Sequence, residues 1–270
     1  MKNFYILLFL VLAYTSGFAQ DTTNTRLFTF DVGIGGAATS FQDVKYSTVH
    51  WNGIGFAPRL EVSWRNKFIH GFGIEGVMSN ESPKTFDGSA KYYSGIVFYK
   101  FFYPLKTEKK YKLFVGAKVE PIDFSLRMID GLYNNGSYLI YGTNLKAAGM
   151  FEQRINNKWV LNADLGFQLF SFMNENVSFG YAADQQTLED GKYNYNEMTA
   201  PFTFTPFWKF LNVETNINFH YGKRWVFSYV WRMQQSYAVK DYHLTRGYSA
   251  LRLSYHIISK TKTPKAKKKK

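Results

Sequence analysis

The feature that most constrains this chain of 270 residues is a rhythm of ten segments alternating polar and apolar with period two. They cover residues 26–40, 52–64, 68–79, 91–103, 111–128, 138–153, 159–173, 207–221, 225–238 and 246–258. Such alternation predicts strands with a different environment on each face. No long window carries a helical period, and Pro is scarce at 7. The connections alternate in length. RNK, PLKTEKK, RINNK and GKR are short; the others are mostly longer and richer in Gly, Asn, Asp and Ser, the longest running from Asn174 to Pro206. Short turns at one end and long loops at the other are how the strands of a membrane-spanning barrel are joined. An even strand number then puts both termini at the short-turn, periplasmic end.

The phase of each segment separates the faces. In LNVETNINFHY one face is Leu211, Val213, Thr215, Ile217, Phe219 and Tyr221, and the other is Asn212, Glu214, Asn216, Asn218 and His220. In WVLNADLGFQL, Leu161, Ala163, Leu165 and Phe167 oppose Asn162, Asp164, Gly166 and Gln168. YSALRLSYHI reads as Tyr248, Leu251, Leu253 and Tyr255 against Arg252, Ser254 and His256, with a slip near Ala250. A soluble barrel would show the same period, but its small lumen could not hold the Phe, Tyr and Trp of the apolar face. That face therefore points into lipid and the polar face fills the inside. The expected fold is all-β, a transmembrane antiparallel barrel of about 10 strands. Two merged segments would leave 8, and a further hairpin of VSFGYAA and PFTFTPF would make 12.

Aromatic residues are 19% of the chain, and they cluster at strand ends. Trp and Tyr suit the bilayer interface because the ring is apolar and the tip polar. Trp64, Phe68, Tyr103, Tyr111, Phe151, Trp159, Tyr221 and Trp225 are expected to form a periplasmic girdle. Trp51, Tyr92, Tyr138, Trp208, Tyr237 and Tyr248 are the candidates for an outer one.

Residues 1–19 read as a secretory signal: Lys2, an apolar run from Phe4 to Tyr14, and small residues Gly17 and Ala19 ahead of a cleavage point near Ala19–Gln20. Residues 20–258 form the barrel and 259–270 a Lys-rich periplasmic tail. The tail accounts for much of the formal charge of +13, which argues against a nucleic-acid surface and suits a periplasmic anionic partner. With 0 Cys, thiolate metal sites and disulfides are excluded.

The predicted lumen holds an ionic network of Arg59, Glu61, Glu75, Lys118, Glu120, Lys146, Asp164, Glu214, Arg232 and Arg252, with Asp31, Lys100, Asp123, Arg127 and Glu152 beside it. Buried charges must be partnered, so a narrow lumen closed by ion pairs is expected in preference to an open pore. Five His are present, none in a metal-binding spacing, and no cofactor or metal is expected. GIGG at 33–36 lacks a following helix and reads as relief of crowding in a barrel wall. The long connection offers Phe179, Tyr181, Tyr193 and Tyr195 around a turn at Asp190 and Gly191, a composition found in binding surfaces.

The signal ending GFAQ and the strands rich in Tyr and Phe resemble the small outer-membrane β-barrel proteins of Gram-negative bacteria, most of all those of Bacteroidota. The resemblance implies a bacterial outer-membrane location with periplasmic termini, and contact with membrane lipid and lipopolysaccharide. KDYH at 240–243 is similar to the Asp-x-His pair with which omptin proteases activate water, which would make Asp241 and His243 catalytic. The opposing loop SNESPKTFDGSA offers Glu81 and Asp87 but no Asp-x-Asp. The favoured function is a non-enzymatic barrel with loop-mediated binding or a scaffold role. The alternatives are an omptin-like hydrolase at the rim and a small, porin-like pore.

Overall fold

The structure is a computed structural model and describes residues 26–43, 47–83, 87–108, 110–131, 136–179, 202–239 and 242–261. The signal segment, the C-terminal residues 262–270, Asp241, and Tyr181, Tyr193 and Tyr195 of the long connection lie outside the described residues.

The chain forms β1 (Arg26–Asp43), β2 (Ser47–Phe56), β3 (Arg59–Arg65), β4 (Ile69–Pro83), β5 (Gly88–Thr107) and β6 (Tyr111–Gly131). These continue into β7 (Gly136–Arg154), β8 (Trp159–Phe179), β9 (Thr203–Pro206), β10 (Phe210–Tyr221), β11 (Trp225–Val239) and β12 (Tyr242–Thr261). All pairings are antiparallel, and β12 pairs with β1 from Arg26↔Thr261 to Asp43↔Leu244, so the sheet closes on itself.

Twelve strands make ten staves. β2 and β3 pair with β1 in one register, Gly36↔Phe56 above and Leu27↔Arg65 below, so they are two halves of one stave. The break falls at Ala57 and Pro58, where proline has no N–H to give to the ladder. The break is bridged by Ala57 N–H donating to the Gly35 carbonyl and Gly76 N–H to that of Pro58. β9 and β10 both pair with β8 and form another interrupted stave, with Phe207, Trp208 and Lys209 looped out between them. Among the described residues the two segments weighed as an additional hairpin add no further staves: Val177–Phe179 extend β8 against β7, and Thr203–Pro206 pair with β8. The wall consumes both ends of the long connection, which leaves 180–201 between staves. β12 likewise runs to Thr261, three residues past the expected end of the barrel at 258.

Two sites show how sequence shapes the wall. A Cβ on Gly116 would lie 1.8 Å from the Phe101 carbonyl oxygen, and one on Gly35 2.0 Å from that of Leu251. Only glycine lets neighbouring staves approach so closely, as the GIGG reading required. The short turns are built by side chains: Asn66 Oδ1 accepts from Phe68 N–H at 2.9 Å, and Asn156 Oδ1 from Lys158 and Trp159 N–H at 2.8 and 2.9 Å. Gly222 adopts φ 61° in the turn between β10 and β11.

The polarity is inverted relative to a soluble protein. Leu165, Phe167, Phe219, Phe227, Leu251 and Leu253 are exposed on the outside, while Lys146, Glu120, Gln168 and Asn212 have 0% exposure inside. The fold is that of a transmembrane β-barrel.

Candidate functional site

The apolar belt has the height of a bilayer core. On the β2–β3 stave the outward residues Trp64, Val62, Leu60, Phe56 and Ile54 give way to Asn52 and His50. The ten steps from Trp64 to Ile54 span about 25 Å at about 3.3 Å per residue and a tilt of about 40°, matching the apolar band of about 25 Å expected of such barrels. β5 has 20 residues, which corresponds to about 50 Å of wall on the same rise and tilt. The wall therefore continues well past the belt at the long-connection end, where Ser40, Asn80, Ser82 and Lys91 are exposed.

At the short-turn end the eight aromatics expected in a girdle line the outer rim. Trp159 meets Tyr221 at 4.8 Å between ring centroids, Phe68 meets Tyr103 at 5.6 Å, and Tyr111 meets Phe151 at 6.4 Å. Trp225 packs on Tyr255, and Trp64 stacks on His70, whose Nδ1 lies 2.8 Å from the Tyr99 hydroxyl.

The outer girdle differs from the expectation. Trp51, Tyr92 and Tyr248 are 4%, 5% and 5% exposed and point into the lumen. The slip near Ala250 does not occur: β12 alternates without interruption, and Tyr248 therefore shares the face of Ala250 and Arg252. Tyr93, Tyr141 and Trp231 take the outward positions instead, with Trp208 exposed on its bulge. The side chains of Tyr138 and Tyr237 lie outside the described ones.

The lumen is a stack of three zones. Its middle is an ionic plug in which three cations meet three carboxylates. Lys146 Nζ, wholly buried, contacts Glu120 Oε1 at 2.8 Å and Glu214 Oε2 at 2.5 Å. Lys118 contacts the same two groups at 3.2 and 2.5 Å. Arg232 donates both terminal nitrogens to Glu120, at 3.1 and 3.0 Å, and one to Asp123 at 2.7 Å. Asn144 donates to Glu120 Oε2 and Asp123 Oδ2, and Gln234 to Asp123 Oδ2, the same oxygens that Arg232 engages. Glu120 and Asp123 both reach inward because β6 shifts register between them, so the alternation changes parity at Pro121 and Ile122. Next to this lies a second set: Arg59 with Glu61 and Glu75, Lys100 with Glu61, and Arg252 with Glu75 at 3.0 Å. The Tyr248 hydroxyl donates to Glu75 at 3.3 Å. Asp164 joins through Asn216 Nδ2, which donates to it at 2.9 Å.

Above the plug the lumen is apolar, packed by Phe41, Trp51, Ile140, Met173, Phe210 and Leu244. Charge is buried there too: Arg246 bonds the Ser125 hydroxyl, and Arg127 donates to Glu81 at 2.5 and 3.0 Å, with its guanidinium 3.7 Å from the Phe41 ring centre and 4.5 Å from that of Tyr92. The sequence places Glu81 in a loop opposite Asp241 and His243. It belongs to β4 and is buried against Arg127, so it is not available at the rim. The period-two run from Gly71 through Glu75 to Ser79 could have revealed this by extension. His243 lies in β12; its side chain, like that of Phe179 in β8, is outside the described ones.

Below the plug is a polar cavity of about 350 Å³ at the short-turn mouth, lined among others by Asp31, Glu61, Lys100, Asn162, His220 and His256. His256 Nδ1 bonds Asp31, and His220 packs edge-on against His256 at 5.8 Å. Arg65 and Lys112 share Glu152 across the mouth. Among the described residues no three His, Asp or Glu are placed to hold a metal ion.

No protein-family model and no curated protein matches this chain. Solved barrels are similar in outline. The outer-membrane protease OmpT from Escherichia coli aligns at 8% identity over 90% of this chain and 99% of its own, with a TM-score of 0.46. The translocator domain of the autotransporter NalP from Neisseria meningitidis aligns at 10% identity over 94% and 95%, with a TM-score of 0.46. Ail, the attachment invasion locus protein of Yersinia pestis, aligns at 12% identity over 85% and 98%, with a TM-score of 0.35.

Proposed function

We propose that this protein is a plugged barrel of the bacterial outer membrane that conducts no ions and holds a rigid recognition platform beyond the bilayer. The observation that carries this reading is the plug: Lys146 and Glu120 have 0% exposure at mid-lumen, in a network fixed from β6, β7, β10 and β11. Desolvated charges held this way leave no continuous path for hydrated ions. The second support is the wall above the belt, whose outside carries Ser40, Asn80, Ser82 and Lys91 beside apolar Met128 and Phe204, and whose inside is packed around Phe41, Trp51 and Phe210. Rigid extensions of this kind present loops to partners, and loops are where recognition concentrates. The termini are periplasmic, the belt contacts lipid, and the platform faces lipopolysaccharide. Phe179, Tyr181, Tyr193 and Tyr195 are the binding residues of the reading, and a non-enzymatic role follows from it. The Lys-rich tail would meet anionic material in the periplasm.

Planar-bilayer recording tests the plug. The native protein is expected to show no stable conductance steps, and the pair Glu120→Ala with Lys146→Ala is expected to introduce them. Steady conductance by the native protein would overturn the reading in favour of a small pore. Co-purification from native outer membranes, before and after excision of 180–196, tests the platform: a partner that stays bound to the shortened protein would remove that segment from recognition.

A further inference from the structure

We propose that the short-turn rim is a collar that binds the headgroups of anionic phospholipids, an inference that rests on the membrane reading above. The four short turns, residues 65–68, 106–112, 154–158 and 222–224, hold ten Lys and Arg and one Glu. The connections at the other end, residues 44–46, 84–87, 132–135, 180–202 and 240–241, hold four Lys and six Asp or Glu. The charge is therefore segregated by end.

Pairing removes little of it. Glu152 takes up Arg65 and Lys112, and Glu108 faces Lys106 at 3.7 Å between exposed groups. Lys67, Lys110, Arg154, Lys158, Lys223 and Arg224 have no carboxylate partner among the described residues, and all six are exposed. Arg154 is held by neutral oxygens of its own turn, Asn156 O and Asn157 Oδ1, so its charge is oriented but not neutralised.

Depth selects the partner. The Lys67 ammonium lies 5.8 Å from the Phe68 ring centre, and that of Lys106 lies 5.5 Å from the ring of Tyr111. Phe68 and Tyr111 are girdle residues, and a girdle sits at headgroup level. Basic groups at that level meet lipid phosphates, and long Lys and Arg side chains reach such groups while their stems stay on apolar surface. A periplasmic polymer would instead favour charges projecting clear of the rings.

The test is lipid selectivity, measured with spin-labelled phosphatidylglycerol and phosphatidylcholine around the folded full-length protein. Heat-modifiable gel mobility separately reports that the barrel is inserted. Phosphatidylglycerol is expected to associate about tenfold more strongly at low salt, with the preference fading as salt screens it. The variant Lys67→Gln, Lys110→Gln, Lys158→Gln, Lys223→Gln and Arg224→Gln should insert normally and lose most of the preference. The double variant Lys67→Gln with Lys223→Gln should lose part of it and serves if the larger set does not fold. A chain ending at residue 261 should keep it. Equal association of both lipids with an inserted native protein would overturn the collar while leaving the membrane reading intact. So would a preference that survives the Gln variants, one that disappears with the tail alone, or retention on peptidoglycan sacculi that depends on the same five residues. Failure of the native protein to insert would instead count against the membrane reading.

Discussion

The inner and outer faces of one wall obey opposite rules, often on consecutive residues. On β7, Lys146 is wholly buried between two carboxylates, while Ala147 beside it faces out. On β8, Asp164 faces the plug and hydrogen-bonds Asn216, while Leu165 is 54% exposed on the belt. The backbone at these positions is the same extended ladder. The medium on each side, and not strand propensity, determines which residue belongs where. An outward residue has to suit hydrocarbon and little else, whereas an inward one has to find its counter-charge across the barrel. The inner face is therefore specified residue by residue, and the outer face by class.

Mutations can break that contrast, and the largest effect is expected inside. Glu120→Ala leaves Lys146, Arg232 and Lys118 short of a shared carboxylate, and removing one partner from a buried network destabilises by about 3–5 kcal/mol. Urea titration of the barrel refolded in lipid measures it; a loss no greater than that of an exposed Glu108→Ala would show the network to be inert. The contrast sharpens with Glu120→Gln combined with Lys146→Met, which removes both charges together and should recover much of the loss. Outside, Leu165→Arg places a charge in the belt and should destabilise by about 2–4 kcal/mol if Leu165 lies near the midplane. Leu165→Phe should change little, and equal penalties for Arg and Phe would contradict a lipid-facing position. Tyr248→Phe removes one hydrogen bond to Glu75 and should cost about 1 kcal/mol. No effect from it would put the hydroxyl outside the network. The smallest effect is expected from replacing 180–201 by a short Gly-rich turn, since the ten-stave ring closes through pairings that do not involve those residues. The shortened protein should retain a mobility in unheated SDS that differs from the boiled form, because a closed ring opens cooperatively. Identical mobilities would make the segment part of the barrel.

Much of the wall could be read locally. Each of the ten segments expected from alternation corresponds to one stave, because period two is a property of a strand and the environments it separates. Leu161 against Asn162, and Ile217 against Asn216, fell on their proper sides for that reason. The short turns were visible because Asn and Gly at their positions supply local hydrogen bonds and a positive φ. Where the local signal was degenerate, the reading failed. The Tyr92–Tyr93 pair offers a ring to either face, and only the ladder with β4, Tyr93↔Met78 and Tyr92↔Ser79, decides that Tyr92 turns inward beside Arg127. Trp51 was given to the interface on its chemistry, yet it lies above the belt, where the lumen is wide enough to be packed by large apolar groups. The sequence by itself determined the alternation, the polarity of the faces, the girdle of the short-turn rim and the basic character of its turns, all of which depend on neighbours within a few residues. Only the tertiary structure decided that Arg232 meets Glu120 and that Arg65 meets Glu152, pairs 112 and 87 residues apart. Those pairings follow from the number, tilt and stagger of the closed ring, and such quantities have no local trace in a chain.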